Sequence, residues 1–418
     1  MSPLVCKRLL IAVFVTTALA GRAQAQPFGV ELHNTMMPIA GGMGGVSIAQ
    51  PLEPLAAINA NPASITRFDG TQFQFGGGWS EATYNLQHTG NVVPGVSPFA
   101  AKSGTPGAAI ANIGMSRQLN ILDGDVYTGF GLTSNAGAGV DFRDVPASNG
   151  TSAEIVVLEM NAVTGMKVTE RWSVGSTLSV GTSYFDGLFV GMGAMVPDYA
   201  LRASLGTSYD LTDATTLAFY YQTKQNFTFD DAIRLQLPGP GNFDIVRDVH
   251  MSLPANYGFG IANRALCDGR LLLAADFLIK EYSDAALFDA MYRNQAVFQF
   301  GAQYSLQRLR LRAGYVYAQN PLKTITSTEA GGVVPPGGLP AVEYVQEQLA
   351  AINRNRISFG IGMVDVIPGL DVDFYAGGMF REAAQLGAFT NVNVESYWVG
   401  FGTTYRFGRM LPGRRSGG

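Results

Sequence analysis

The sequence predicts an all-β fold, a transmembrane antiparallel β-barrel of about 14 strands preceded by a separate N-terminal segment. Three observations support this prediction. Charged residues make up only 14% of the 418 residues, against roughly 25% in soluble domains. The chain is rich in glycine and aromatic residues, with 51 Gly, 25 Phe and 17 Tyr. From residue 71 onward, long runs of alternating apolar and small or polar residues are separated by breaks rich in Gly, Pro, Asn or Asp.

The N-terminus is expected to be a signal peptide, residues 1–25. A basic segment precedes the apolar run 9–20, and Ala23-Gln24-Ala25 has the small-x-small form of a cleavage site. This run is too short for a spanning helix, which needs roughly 20 residues, so a helical membrane protein is excluded. Export is therefore the expected first step.

The remaining chain has a moderate negative charge. Three of the 28 basic residues lie in the leader, which leaves 25 against 32 acidic residues, or about −7. This balance excludes the basic surface of a nucleic-acid-binding protein. Cys267 is then the one remaining cysteine, so neither an internal disulfide nor a cysteine metal cluster is expected.

The strand pattern is clearest near the C-terminus. Tyr397 and Val399 share one face of the run 394–407, whereas Gly400 and Gly402 share the other. Strands of soluble sandwiches have about five or six residues, but membrane-spanning strands need about 9 to 11, and these runs are longer still. The predicted strands are 71–87, 106–118, 123–134, 154–169, 171–186, 197–210, 214–230, 255–266, 270–282, 293–306, 308–319, 354–366, 369–381 and 394–407.

The connections alternate between short and long, as in outer-membrane barrels with periplasmic turns and longer external loops. Both chain termini are therefore expected on the periplasmic side. Residues 26–70 do not fit the strand pattern, and they could form either a periplasmic extension or a hatch that plugs the lumen. They precede the barrel 71–407, which a short tail, 408–418, follows. The long connections are 88–105, 135–153, 187–196, 231–254, 283–292, 320–353 and 382–393.

Several motifs resemble the FadL-like family of outer-membrane transporters of long-chain fatty acids and aromatic hydrocarbons. Asn61-Pro62-Ala63 follows the Gly-rich stretch 41–45, at a spacing similar to that in the family's hatch. The order of the motifs is more specific than any one of them. Further along are Leu253-Pro254-Ala255, Tyr292-Arg293, Phe300-Gly301-Ala302-Gln303-Tyr304, Leu311-Arg312-Ala313-Gly314-Tyr315 and Asn320-Pro321.

The resemblance implies a monomeric barrel in the bacterial outer membrane, with the hatch, including Asn61, Pro62 and Ala63, plugging the lumen. It also implies that outer loops capture a hydrophobic ligand, which reaches a lumenal pocket and leaves sideways through a gap at a kink in the third strand. Gly129 and Gly131 lie on that predicted strand, where glycine permits a bend. Close approach of the hatch to the wall explains the same glycines equally well.

The lumenal pocket is predicted on two strands that carry apolar residues on both faces, although the lumen of a water-filled porin is mainly polar. Packing of the wall against the hatch would demand the same apolar surface, so both interpretations stay open. The candidate residues are Ile155, Val157 and Val163 on one strand and Leu272 and Leu278 on the other.

A capture groove is predicted in the apolar loop 187–196, because exposed apolar patches usually bind something. The adjacent loop 283–292 could supply a helical wall. Simple packing between loops is the alternative for both. The candidate residues are Leu188, Phe189, Met192 and Met195 in the first loop and Leu287 and Phe288 in the second.

The head group of an acid ligand would need a cation. In the family a basic residue before the strand matching 293–306 serves this purpose, but Asp289 stands nearest to that place. Arg293 and Arg312 are therefore the candidates, and uncharged hydrocarbons remain possible substrates. For Arg312 the favoured alternative is a lumenal salt bridge, since Asp371, Asp373 and Asp276 are expected at similar depth; Arg308 and Arg310 share its face.

No catalytic residue, metal site or cofactor is predicted. The histidines His33, His88 and His250 lack a serine elbow or an obvious orienting partner. The expected partners are a hydrophobic small molecule and the lipid and lipopolysaccharide of the membrane. A general diffusion porin, or a structural barrel without a hydrophobic ligand, is the alternative, and the contents of the lumen would distinguish them.

Overall fold

The computed structural model describes residues 29–31, 33–121, 124–186, 196–237 and 243–407. The predicted signal peptide and C-terminal tail lie outside these residues. Within them, no helix is both long and apolar enough to cross a membrane.

The helices are α1 (Pro54–Asn59), α2 (Phe288–Met291) and α3 (Leu339–Gln348). The strands are β1 (Gly29–Glu31), β2 (Thr71–His88), β3 (Phe99–Lys102), β4 (Ala108–Ile121), β5 (Gly124–Asp141), β6 (Ser152–Lys167), β7 (Trp172–Asp186), β8 (Val196–Thr212), β9 (Thr215–Gln222), β10 (Gln225–Leu237), β11 (Phe243–Leu253), β12 (Asn256–Leu266), β13 (Leu271–Lys280), β14 (Gln295–Leu306), β15 (Leu309–Ala318), β16 (Asn355–Ile367), β17 (Leu370–Leu386) and β18 (Thr390–Phe407).

Fourteen of the described strands close into an antiparallel barrel, which confirms the predicted fold class. The barrel omits β1, β3 and the hairpin of β10 and β11, and it closes where β18 pairs with β2 from Phe407↔Thr71 to Thr390↔His88. Short turns join the strands at one end, the turn end, and most long connections lie at the other, the loop end.

The alternation in sequence becomes an inside and an outside of the wall. Tyr397 and Val399 on β18 are half exposed on the outer face, whereas Trp398 between them is buried inside. Large apolar side chains cover the outer face on the other strands too, among them Leu201, Phe359 and Phe374. An apolar outer band is what a bilayer requires of a barrel wall.

The predicted strand 214–230 is wrong in its second half. The barrel strand β9 ends at Gln222, and the chain continues into β10 of a separate two-stranded sheet. The segment 231–254, predicted as a loop, therefore holds most of a hairpin. Thr223-Lys224 and Pro254-Ala255 interrupt the two legs, and proline lacks the N–H that a ladder needs.

Two predicted loops are also shorter than expected. Residues 382–393 mostly extend β17 and β18, which leaves only 387–389 as a connection, and β5 continues to Asp141. The side chains become polar beyond the apolar band, but the backbone hydrogen bonds between the paired strands continue. The change in polarity therefore does not mark where the strands end.

The segment from residue 33 to the start of β2 lies against inward-facing barrel residues. It contains α1 and three 3-10 turns, His33–Met36, Ala40–Met43 and Pro62–Arg67. Nearly all of its side chains between 34 and 66 are buried. We call this segment the hatch.

Candidate functional site

Asn61 joins the hatch to the barrel wall. Its Oδ1 accepts a hydrogen bond from the backbone N–H of Ala63 at 3.1 Å, which caps the turn Pro62–Arg67. Its Nδ2 donates to the carbonyl of Ile48 at 2.9 Å and to that of Thr207 on β8 at 3.3 Å. A Cβ at Gly206 would collide with Oδ1, so the wall has glycine where the hatch motif approaches.

Two buried carboxylates fix other parts of the hatch. Glu53 accepts from the backbone N–H of Ile39 at 2.9 Å and of Ala40 at 2.7 Å. Asp276 on β13 accepts from the N–H of Ser47 at 2.7 Å and of Ile48 at 3.0 Å. Asp276 therefore binds the hatch backbone, not the arginines that the sequence suggested as its partners.

Gly129 and Gly131 on β5 face the hatch helix α1. An added Cβ at Gly129 would lie 3.3 Å from Ile58 Cδ1 of the hatch and 2.8 Å from Val163 Cγ1 of β6, and one at Gly131 would lie 3.2 Å from Ile58 Cγ2. Close approach of the hatch accounts for both glycines. The irregularity in β5 comes later, where its register against β6 shifts between Ser134 and Ala136.

The ladder between β4 and β5 stops partway up the wall. The described pairing ends at Ile113↔Leu132. Above it, Ser134 N donates to Asn112 Oδ1 at 3.0 Å. Near the loop end, Gly104 N donates to the carbonyl of Asp141 at 2.7 Å.

Between these contacts lies the β4–β5 gap, bordered by residues 105–111 on one side and 135–140 on the other. On the β5 side the short strand β1 pairs with part of the edge, at Gly29↔Gly137 and Glu31↔Ala136. Ile110 and Ala136 flank the gap and pack against a large apolar cluster inside the barrel.

The predicted lumenal pocket residues divide into two groups. Ile155 and Val157 belong to the apolar cluster that reaches the gap, which we call the upper cluster. Val163 packs with hatch residues, including Ile58 and Ile65. The packing alternative therefore describes Val163, and it describes two more predicted residues, Leu272 and Leu278, which contact Val46 and Ile48 of the hatch.

A small polar cavity of about 10 Å³, room for about one water, borders the hatch. Its wall includes Asn135 beside the β5 irregularity, and Lys280 at the end of β13, which is only 3% exposed. Asn135 Nδ2 is buried there without a hydrogen-bond partner. Other polar side chains complete the lining, among them His33, Asn59, Gln222 and Asn256.

Sequence reasoning missed Lys280. The alternation contained its signal, since Leu272, Leu278 and Lys280 have the same parity on β13 and all three are buried.

Neither arginine predicted to bind a head group borders this cavity. Arg312 is occupied, with Nη1 2.6 Å from Asp373 Oδ1 and Nε donating to Gln303 Oε1 at 2.7 Å. The salt-bridge alternative is therefore the one observed for Arg312. Arg293 is exposed beyond the strand ladder, and its Nε donates to the carbonyl of Asn320 at 3.1 Å.

Of the three aspartates, only Asp373 pairs with an arginine of the predicted face. Asp371 pairs with Arg406 near the turn end, and that arginine also contacts Asp365 at 2.9 Å. Arg308 and Arg310 donate to backbone carbonyls instead.

The loop candidates differ in what can be said of them. Leu188, Phe189, Met192 and Met195 lie outside the described residues. Leu287 and Phe288 are fully buried and do not form an open groove. The Phe288 ring packs 5.7 Å from that of Tyr282 and 5.2 Å from that of Tyr292, so packing between loops explains it.

Leu287 also borders a small apolar space of about 10 Å³ at the loop end. Its lining joins the β10–β11 hairpin, through Ile233 and Val249, to the segment 320–353, through Val333 and Val345. These loop-end segments thus share an apolar layer above the lumen.

Several solved structures that are similar to this one are transporters. The toluene transporter TodX of Pseudomonas putida has a TM-score of 0.66 at 18% identity, covering 90% of this chain and 99% of its own. A FadL homologue of Pseudomonas aeruginosa has a TM-score of 0.65 at 17% identity, covering 91% and 100%. The toluene transporter TbuX of Ralstonia pickettii has a TM-score of 0.59 at 17% identity, covering 88% and 98%.

These similarities establish that the chain has the fold of FadL-type channels. No protein-family model matches the sequence, and no curated protein does either.

Proposed function

We propose that the protein is a passive channel of the bacterial outer membrane that admits hydrophobic small molecules, such as long-chain fatty acids or related hydrocarbons. The loop end faces outward and the turn end faces the periplasm, as the connection lengths suggest. The observation that carries the proposal is the continuity of the upper cluster with the β4–β5 gap through Ile110 and Ala136. A hydrophobic ligand on this path would not have to enter water.

The hatch supports a sideways exit. An axial route would require breaking the buried bonds that Asn61, Glu53 and Asp276 make with the hatch backbone. Each such bond is costly to leave unmade, by about 1–3 kcal/mol per group. The gap has no β4–β5 ladder to break in the described wall, although β1 covers part of its edge and would have to shift or be bypassed.

Residues 26–70 are accordingly proposed to act as the lumenal plug, and the protein to work as a monomer, since one closed barrel holds the whole path. Lipid and lipopolysaccharide would surround its outer band.

Capture by the outer loops is also part of the proposal, with the apolar layer beside Leu287 as its innermost part. The general-porin alternative is less well supported, because the upper lumen is apolar and closely packed.

The test of the exit route fills the gap. Ala136→Trp should reduce uptake of a labelled long-chain acid by cells, because the indole would occupy the space between Ile110 and the β5 edge. Ala313→Trp is the matched control, since Ala313 is exposed on β15, away from the gap. Heat-modifiable gel mobility reports barrel assembly. Normal uptake by a well-assembled Ala136→Trp variant would reject the sideways exit.

A further inference from the structure

The hairpin of β10 and β11 leaves the barrel wall and folds inward at the loop end. Barrel pairing of β9 with β12 ends at Gln222↔Asn256, and hairpin pairing resumes at Gln225↔Leu253. The hairpin residues Phe227, Phe229 and Met251 are buried in the upper cluster. The hairpin therefore covers the lumen instead of extending the wall.

One side chain contacts both legs of the hairpin where they leave the wall. Arg202 on β8 is 1% exposed. Its Nε donates to the carbonyl of Thr223 at 2.8 Å, and its Nη2 donates to the carbonyl of Pro254 at 2.5 Å. The planar fork of a guanidinium suits such a paired contact. Glu159 on β6 lies 3.9 Å from Nη1 and balances the buried charge.

The surrounding wall is shaped for the folded position. Gln225, the first residue of β10, is fully buried and donates to the carbonyl of Ala200 at 3.0 Å. A Cβ at Gly181 on β7 would collide with the Gln225 amide, so the wall leaves space for it. At the hairpin's outer side, Thr228 N donates to Asp198 Oδ2 at 2.6 Å.

We propose that Arg202 is a positioning residue that latches the hairpin over the outer mouth, and that releasing it opens the mouth to polar solutes. Without the guanidinium, the carbonyls of Thr223 and Pro254 lose a partner that sets the bend. The legs can then straighten toward the ladder of β9 and β12. The proposal concerns the exclusion of polar solutes and does not depend on which hydrophobic ligand the protein carries.

The first experiment measures iodide quenching of Trp398 fluorescence in the full-length protein, because the hatch below the hairpin would still block ion flow through the lumen. Trp398 is buried in the upper cluster, and Trp79→Phe with Trp172→Phe removes the two exposed tryptophans. Arg202→Met alone would leave Glu159 without its cation, which endangers assembly. The informative variant is Arg202→Gln with Glu159→Gln, which removes both charges, and it should raise the quenching severalfold. Arg202→Lys keeps the charge without the fork and should give an intermediate value. Arg171→Gln, at an exposed pair with Asp213, is the control and should be quenched as the parent is.

The second experiment separates a latch from general loosening of the barrel. Asp198→Cys and Thr228→Cys, in a chain with Cys267→Ser, place a disulfide between the hairpin and β8. Added to the Arg202→Gln, Glu159→Gln variant, the oxidised tether should restore weak quenching of Trp398, and reduction should raise it again. Unchanged quenching in the assembled double-glutamine variant would overturn the proposal. So would raised quenching that the formed tether does not lower.

Discussion

At the residue scale, single buried polar side chains decide what the lumen can hold. Lys280 places an ammonium group beside a cavity that is otherwise lined mainly by amides and other polar groups. A head group that widened this small space would meet polar partners that an uncharged hydrocarbon could not use, because each buried polar group there needs a polar partner. The apolar tail would lie in the upper cluster. Of the predicted arginines, Arg312 pairs with Asp373 away from this cavity, and Arg293 is exposed.

Lys280→Gln should therefore weaken uptake of a long-chain acid while leaving uptake of an aromatic hydrocarbon unchanged. Loss of a charge-assisted hydrogen bond of about 1.5–3 kcal/mol corresponds to roughly a 10- to 100-fold loss of affinity. Uptake at low substrate concentration measures it, and Arg293→Gln is the control that removes an exposed cation. Equal loss for both substrates would contradict a head-group role and indicate a packing defect.

Asn61→Ala should loosen the hatch without unfolding the barrel. It removes the cap on Ala63 N and the bonds to the carbonyls of Ile48 and Thr207. A lost cap costs about 0.5–2 kcal/mol. Amide hydrogen exchange across 62–67 should accelerate relative to the wild type and to Asn391→Ala, which changes an exposed residue of β18. Wild-type protection of that turn would show that Asn61 does not hold it.

At the scale of elements, the sequence predicts where the strands lie, but it does not predict which strands leave the barrel wall. Alternation places β18 within four residues of its observed start, because each wall residue faces either lipid or the lumen. The same alternation continues past Gln222 into the hairpin, so no pattern marks where β9 leaves the wall. That departure depends on Arg202, which is distant in sequence from Pro254.

The site could be predicted only in part for a related reason. Apolar residues on the inner face, such as Ile155 and Val163, look alike in sequence although one lies in the upper cluster and the other against the hatch. Gly129 and Gly131 suggested a bend, but the shift lies at 134–136. Which inward residue meets the hatch is a tertiary property that local periodicity does not contain.

The helix α3 gives a pH prediction for the external segment 320–353. Burial raises the pKa of Glu347, and the hydrogen bond with His88, whose Nδ1 lies 3.4 Å from Oε2, opposes that shift. Glu343 on the same helix raises it further. When the pKa of a carboxyl is higher in the folded than in the unfolded protein, its protonated form stabilises the fold. This contribution is fully present below the ordinary pKa of 4.5 and is lost as the pH rises through the pKa of the folded protein.

Protease cleavage within 320–353 should consequently be faster at pH 8 than at pH 5 in the folded protein. Glu347→Gln cannot ionise, so the difference between the two pH values should shrink. Glu329→Gln, in the same segment but exposed, serves as the control. An unaltered pH dependence in Glu347→Gln would mean that another group governs the segment.

At the scale of the whole molecule, the protein combines an apolar outer band, a polar-bonded hatch and an apolar upper lumen that opens toward the β4–β5 gap. The outer band fixes it in a bilayer. In the proposed mechanism, the hatch opposes axial flow and the gap leaves a sideways path. This division explains how one barrel could pass hydrophobic molecules while retaining the barrier to polar ones.

The most direct measurement is photolabelling by a long-chain acid that carries a diazirine in its tail, followed by peptide mapping with and without excess unlabelled acid. The outer band will take up label that competition does not remove. The account predicts competition-sensitive label on Ile155 and Val157 in the upper cluster and on Ile110 at the gap. Competition-sensitive label confined to the turn 62–67, or none inside the barrel, would contradict it.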